Sequence, residues 1–123
     1  MKNKILIVED SEMLSKYLEK ELIDNKFIVI KASTGEEGLE KIKENTPDAI
    51  VMDINLPKMS GIEMLEKFRL MDPQSTIPVI VFTNDDYLEF VEKALKNNVI
   101  AFLTKSDHNP ESVIKILKEK LSK

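Results

Sequence analysis

The chain has no cysteine, no tryptophan, a single histidine and only three glycines in 123 residues. Without cysteine there is neither a disulfide nor a thiolate metal site, which fits the reducing cytoplasm, the compartment expected here. Long apolar runs are missing too. Ile5 to Val8 is cut off by Glu9 and Asp10, so the basic opening Met1-Lys2-Asn3-Lys4 leads into neither a signal peptide nor a membrane span, and no membrane contact is expected. Positive charge is not in excess: 18 lysines and arginines face 22 aspartates and glutamates, for a net charge of -4. Proteins that bind nucleic acid concentrate positive charge on one surface, so direct nucleic-acid binding is not expected. His108 stands among polar residues beside Pro110 and reads as a solvated loop residue rather than a ligand or a base.

What is present is ordinary globular material, 42% hydrophobic and 33% charged, in a length that suits one domain, taken as residues 1–123. Short apolar runs alternate with segments of helical period, the signature of βα units on a parallel sheet. The predicted strands are Lys4 to Val8, Phe27 to Ile30, Ala49 to Met52, Val79 to Phe82 and Ile100 to Leu103. Their nearly continuous Ile, Val and Phe content predicts burial on both faces. Five helices are predicted between and after them, from Leu14, Tyr17, Leu18 and Leu22; Leu39 and Ile42; Leu65 and Phe68; Leu88, Val91 and Leu95; and Val113 or Ile114 with Leu117 and Leu121. Ser33 with Glu36 makes a capping-box pattern, and Asn109 before Pro110 supplies an N-cap and a first-turn proline. The prolines all fall in connections, so nothing divides the chain.

The strand ends carry the chemistry. Val8 is followed by Glu9 and Asp10, Met52 by Asp53, Phe82 by Thr83 and Thr104 by Lys105. In a parallel sheet these positions share the carboxyl edge, where open α/β sheets bind ligands. Three carboxylates brought together there repel unless a cation compensates, and an all-oxygen set suits Mg²⁺. Lys105, a mobile point charge, and Thr83, a hydroxyl donor, suit a phosphoryl group.

Glu9-Asp10, Asp53 with Leu56-Pro57 and Gly61 behind it, Thr83 and Lys105 together resemble, in order and spacing, the receiver domain of two-component response regulators. The stretch "VMDINLPKMSGIEML" is the most specific part, and the resemblance covers essentially the whole chain. It implies a flavodoxin-like, doubly wound fold: a five-stranded parallel sheet in the order 2-1-3-4-5 with five helices on its two faces. It implies Asp53 as phosphoacceptor, with Asp10, Asp53, the backbone carbonyl of Asn55 and, through water, Glu9 holding Mg²⁺. Lys105 and Thr83 would grip the phosphoryl group. Thr83 and Phe102 would form the switch, with Phe102 filling space that Thr83 vacates. The donor would be a phosphohistidine on a sensor histidine kinase or a histidine phosphotransfer protein. The output would be a downstream protein target or a homodimer. Ending with the fifth predicted helix, the chain is expected to act as a single-domain regulator, a signalling phosphoacceptor rather than a conventional enzyme.

Two residues depart from the family pattern. Asn84 follows Thr83 where a small residue is usual, which predicts a changed phosphoryl lifetime. Ser106 follows Lys105 where a cis-proline is common, which predicts either a trans peptide with a shifted loop or a strained site. Rival readings fit less well. A phosphatase of the haloacid dehalogenase type needs a second aspartate where Asn55 stands, and a calcium loop from Asp53 fails at Pro57 and Lys58. A flavin site would rest on topology alone. The alternative from another class is a degenerate receiver, an interaction module that is never phosphorylated.

Overall fold

The computed structural model describes residues 2–84 and 98–122. Among them, five strands form one parallel sheet: β1 (Lys4–Val8), β2 (Ile28–Ala32), β3 (Ala49–Met52), β4 (Val79–Thr83) and β5 (Val99–Thr104), in the order β2-β1-β3-β4-β5. Four helices are described: α1 (Glu12–Asp24), α2 (Gly35–Asn45), α3 (Gly61–Met71) and α4 (Pro110–Leu121). The predicted helix carrying Leu88, Val91 and Leu95 lies outside the described residues.

The apolar runs are continuous because the sheet has a core on each face. Leu6, Val8, Ile50, Met52, Val79 and Val81 point to one side, where Ile42 of α2 and Met64, Leu65 and Phe68 of α3 meet them. Their neighbours Ile5, Ile7, Ala49, Val51, Ile80 and Phe82 point to the other, onto Leu18 and Leu22 of α1 and Val113, Ile114 and Leu117 of α4. Side chains alternate across a strand, so a strand covered on both faces needs apolar residues at every position. β1, β3 and β4 meet this condition apart from the half-buried Lys4 and the buried Thr83 at the end of β4. The edge strands β2 and β5 do not, and Ile28 and Ile100 are exposed. At Ile100 the pairing slips, Val79 facing Val99 but Ile80 facing Ala101, which is a bulge at the sheet edge.

The helix starts are set by side chains. Ser11, Thr34, Ser60 and Asn109 each accept a hydrogen bond from the backbone N–H three residues on, satisfying a first-turn donor. Asn109 and Pro110 act as predicted, whereas the cap of α2 is Thr34 and not Ser33. β2 runs on through Ala32, two residues past its predicted end, and this pushes the turn and the cap one position later. The capping acid is accordingly Glu37 rather than Glu36. Its Oε1 accepts the N–H of Ser33 at 2.6 Å.

The chain winds from β1 out to β2, then crosses back to β3 on the other side of β1. The reversal opens a crevice beyond the carboxyl ends of β1 and β3.

Candidate functional site

Glu9, Asp53 and Lys105 each stand one residue beyond a strand, yet their backbones stay in the ladder. The N–H of Glu9 donates to the carbonyl of Ala32 at 3.0 Å, that of Asp53 to Val8 at 3.0 Å, and that of Lys105 to Thr83 at 2.7 Å. Each side chain therefore leaves a fixed backbone rather than a free loop. Because Val8 pairs with Met52, Glu9 and Asp53 follow adjacent strands at the same level. Thr83 pairs with Thr104, beside Lys105, and is fully buried.

The ammonium of Lys105 bridges two carboxylates, 2.9 Å from Oε1 of Glu9 and 3.0 Å from Oδ2 of Asp53. The three side chains are nearly sealed, exposed by 14%, 4% and 6% for Lys105, Glu9 and Asp53. Both carboxylates use their second oxygen in the same way. Oε2 of Glu9 accepts the N–H of Ser11 at 3.0 Å, and Oδ1 of Asp53 accepts the N–H of Asn55 at 3.1 Å. These two backbone donors were not foreseen from sequence. A short acid followed two residues on by a turn residue is the signal that could have found the second of them, an Asx turn.

Asp53, directly behind the apolar run Ala49 to Met52, is buried but not unpaired. A buried charge is tolerated when it is paired and hydrogen-bonded. Burial still pushes the Glu9 carboxyl above the ordinary glutamate range, a push that the Lys105 and Ser11 hydrogen bonds only partly offset. Burial disfavours the Lys105 ammonium, but Glu9 and Asp53 together outweigh it and hold its pKa above the ordinary lysine value.

Asp10 is exposed and adds a third carboxylate. One oxygen from each of Glu9, Asp10 and Asp53 lies within 4.8 Å of the others. The donor set is all oxygen and acidic, as a hard cation such as Mg²⁺ requires, and the residues present fit such an ion.

The other predicted site residues fall as follows. Asn55 is exposed in the turn after Asp53, and Phe102, paired with Val81, is half-buried against the core on the α2 and α3 side. Asn84 is exposed next to Thr83, and His108 is exposed on the β5–α4 connection. The Lys105–Ser106 peptide is trans, since no cis peptide occurs among the described residues. The connection turns back without it, the N–H groups of Asp107 and His108 both donating to the carbonyl of Thr104. No described helix is long and apolar enough to cross a membrane.

Residues 5–118 match the family model of the response regulator receiver domain. The chain is 37% identical over 78 residues to the chemotaxis protein CheY of Bacillus subtilis, an alignment covering 63% of this chain and 65% of that protein. It is 33% identical over 113 residues to the hybrid signal transduction histidine kinase D of Dictyostelium discoideum, 92% of this chain but 7% of the kinase. The chain thus spans only part of the curated relatives it matches. Among solved structures, a CheY-like response regulator receiver domain protein from Methanospirillum hungatei JF-1 superposes with a TM-score of 0.89 at 31% identity, covering 98% of this chain and 94% of that one. With the strand order, the acidic crevice and the family match in agreement, the chain belongs to the response regulator receiver domains of two-component signalling.

Proposed function

We propose that Asp53 accepts a phosphoryl group from a phosphohistidine on a sensor histidine kinase or histidine phosphotransfer protein, and that the chain passes the signal on through its surface. The observation that carries this reading is the bridge from Lys105 to Glu9 and Asp53 inside a crevice that a third carboxylate, Asp10, also reaches.

In the transfer an oxygen of Asp53 forms the bond to phosphorus as the phosphorus–nitrogen bond breaks, and the leaving imidazole keeps the bonding pair. Lys105 keeps the Asp53 carboxylate aimed, and then follows the charge onto the phosphoryl oxygens. Asp10, Asp53, the Asn55 carbonyl and, through water, Glu9 would hold Mg²⁺, which when bound neutralises charge on the transferring oxygens. The hydroxyl of Thr83 donates to the new phosphoryl group, whose charge of roughly -1.5 to -2 gives it three strong acceptors. Phe102, on the strand beside Thr83, repacks with it and carries the change to the surface. That surface meets a downstream protein target or a second copy of the chain. On this reading the chain is a signalling phosphoacceptor and not a conventional enzyme.

Intact mass after treatment with acetyl phosphate, with and without Mg²⁺, tests the reading. The parent gains one phosphoryl group only with Mg²⁺, and Asp53→Asn gains none. A parent that never gains it supports the unphosphorylated interaction module instead.

A further inference from the structure

Two helices begin alike. α2 starts at Gly35 after the cap Thr34, α3 starts at Gly61 after the cap Ser60, and both glycines are buried. Neither has a positive φ, so backbone freedom explains neither of them. What differs is the space a side chain would need. A Cβ on Gly35 would meet the side chain of Met59, its sulfur at 2.9 Å, and a thioether can swing aside. A Cβ on Gly61 would overlap the backbone carbonyl oxygen of Asp53 and lie 3.0 Å from the Cα of Ile54. That backbone has nowhere to go, because the Asp53 N–H is bonded to Val8 at 3.0 Å and the Ile54 carbonyl accepts the Gly61 N–H at 2.8 Å.

We propose that Gly61 is a positioning residue for Asp53: lacking a side chain, it lets the first turn of α3 bear on the Asp53–Ile54 peptide and so fixes the aim of the Asp53 carboxylate. The proposal rests on the reading of Asp53 as phosphoacceptor. A carboxylate displaced by a fraction of an ångström at its backbone loses its bond from the Asn55 N–H and its place among the oxygens of Glu9 and Asp10. Supporting groups around a metal site are worth about 10- to 100-fold in affinity.

The test compares the parent, Gly61→Ala and the matched control Gly35→Ala, each shown to be folded by circular dichroism. Mg²⁺ affinity is measured by titration, the Asn55 amide by NMR, and phosphorylation with acetyl phosphate. Gly61→Ala is expected to lose about tenfold or more in Mg²⁺ affinity, to shift the Asn55 amide resonance and to slow phosphorylation, while Gly35→Ala matches the parent. A folded Gly61→Ala that keeps the parent's Mg²⁺ affinity and Asn55 resonance overturns the proposal. If Gly61→Ala does not fold, Ser60→Ala loosens the same helix start without added bulk. It should weaken Mg²⁺ binding where Thr34→Ala, its counterpart on α2, does not, and equal behaviour of the two overturns the proposal. Failure of the underlying reading shows in the parent instead, as a chain that takes no phosphoryl group.

Discussion

The ammonium of Lys105 lies 3.0 Å from Oδ2 of Asp53, although β4 separates the strands that deliver them. The lysine spans that strand because its backbone is fixed to Thr83 and its long side chain runs along the sheet edge to β3 and β1. A single cation therefore holds two nearly buried carboxylates together.

Removing that cation should cost stability. Lys105→Met leaves Glu9 and Asp53 facing each other, and a loss of about 3 kcal/mol at neutral pH is expected, near the lower end for breaking a buried pair. Urea unfolding of the two proteins measures it. A difference below about 1 kcal/mol, the range of an exposed ion pair, would contradict the arrangement.

Glu9 gives stability a pH dependence with a definite sign. Its folded pKa is raised by burial, so the folded protein holds this proton more tightly than the unfolded chain does. The resulting stabilisation is complete below the ordinary glutamate pKa and is lost as pH rises through the raised folded value. Glu9→Gln, which keeps acceptor and shape, should thus gain on the parent as pH rises through that window and show no pH-dependent gain below it. Unfolding at a series of pH values reads this, and a gain that grows toward acid would reverse the assignment.

Asn84 stands exposed beside the buried Thr83, at the edge where the phosphoryl group would sit. Trimming it opens the approach of water, and Asn84→Ala should lose its phosphoryl group faster by about two- to tenfold, up to about 1.4 kcal/mol in barrier. Loss of phosphoprotein mass over time gives the rate. An unchanged decay would remove Asn84 from the account.

Thr83→Ala separates acceptance from switching. It should still take a phosphoryl group on Asp53, while the change in the Phe102 ring resonances that accompanies phosphorylation in the parent is lost. A full Phe102 response in the variant would contradict the coupling.

The two ends of the capping question differ in stability. Glu37→Ala leaves the Ser33 N–H without its acceptor and should cost about 0.5–1.5 kcal/mol, the usual net worth of a hydrogen bond, whereas Glu36→Ala should cost less. Thermal unfolding compares them, and equal losses would contradict the assignment of Glu37 as the acid that holds the Ser33 N–H.

These cases mark what could be read from residues alone. β1 and β3 have the predicted ends because an apolar run on a strand buried on both faces stops where burial stops, at Val8 and Met52. β2 and β5 run beyond their predicted ends because edge strands carry polar residues such as the exposed Lys31 and the half-buried Thr104, which break the apolar pattern without ending the pairing. The sequence leaves the cap of α2 ambiguous by one position because Ser33-Thr34 before Glu36-Glu37 contains two overlapping capping patterns, and only the length of β2 chooses between them. Glu9, Asp53 and Thr83 are legible because each is the first polar residue after an apolar run, whereas Lys105 stands one place further on, behind Thr104. The Ser11 amide is not legible, since a backbone donor is the same in every residue type except proline, and the Asn55 amide is signalled only by the short acid two residues before it.

Reduction with borohydride after acetyl phosphate treatment locates the phosphoryl group, because it converts an aspartyl phosphate into homoserine at the position that carried it. The account predicts that peptide sequencing by mass spectrometry finds homoserine at position 53 and nowhere else, and only when Mg²⁺ was present. Homoserine at another aspartate, or none at all from fully folded protein, would contradict it.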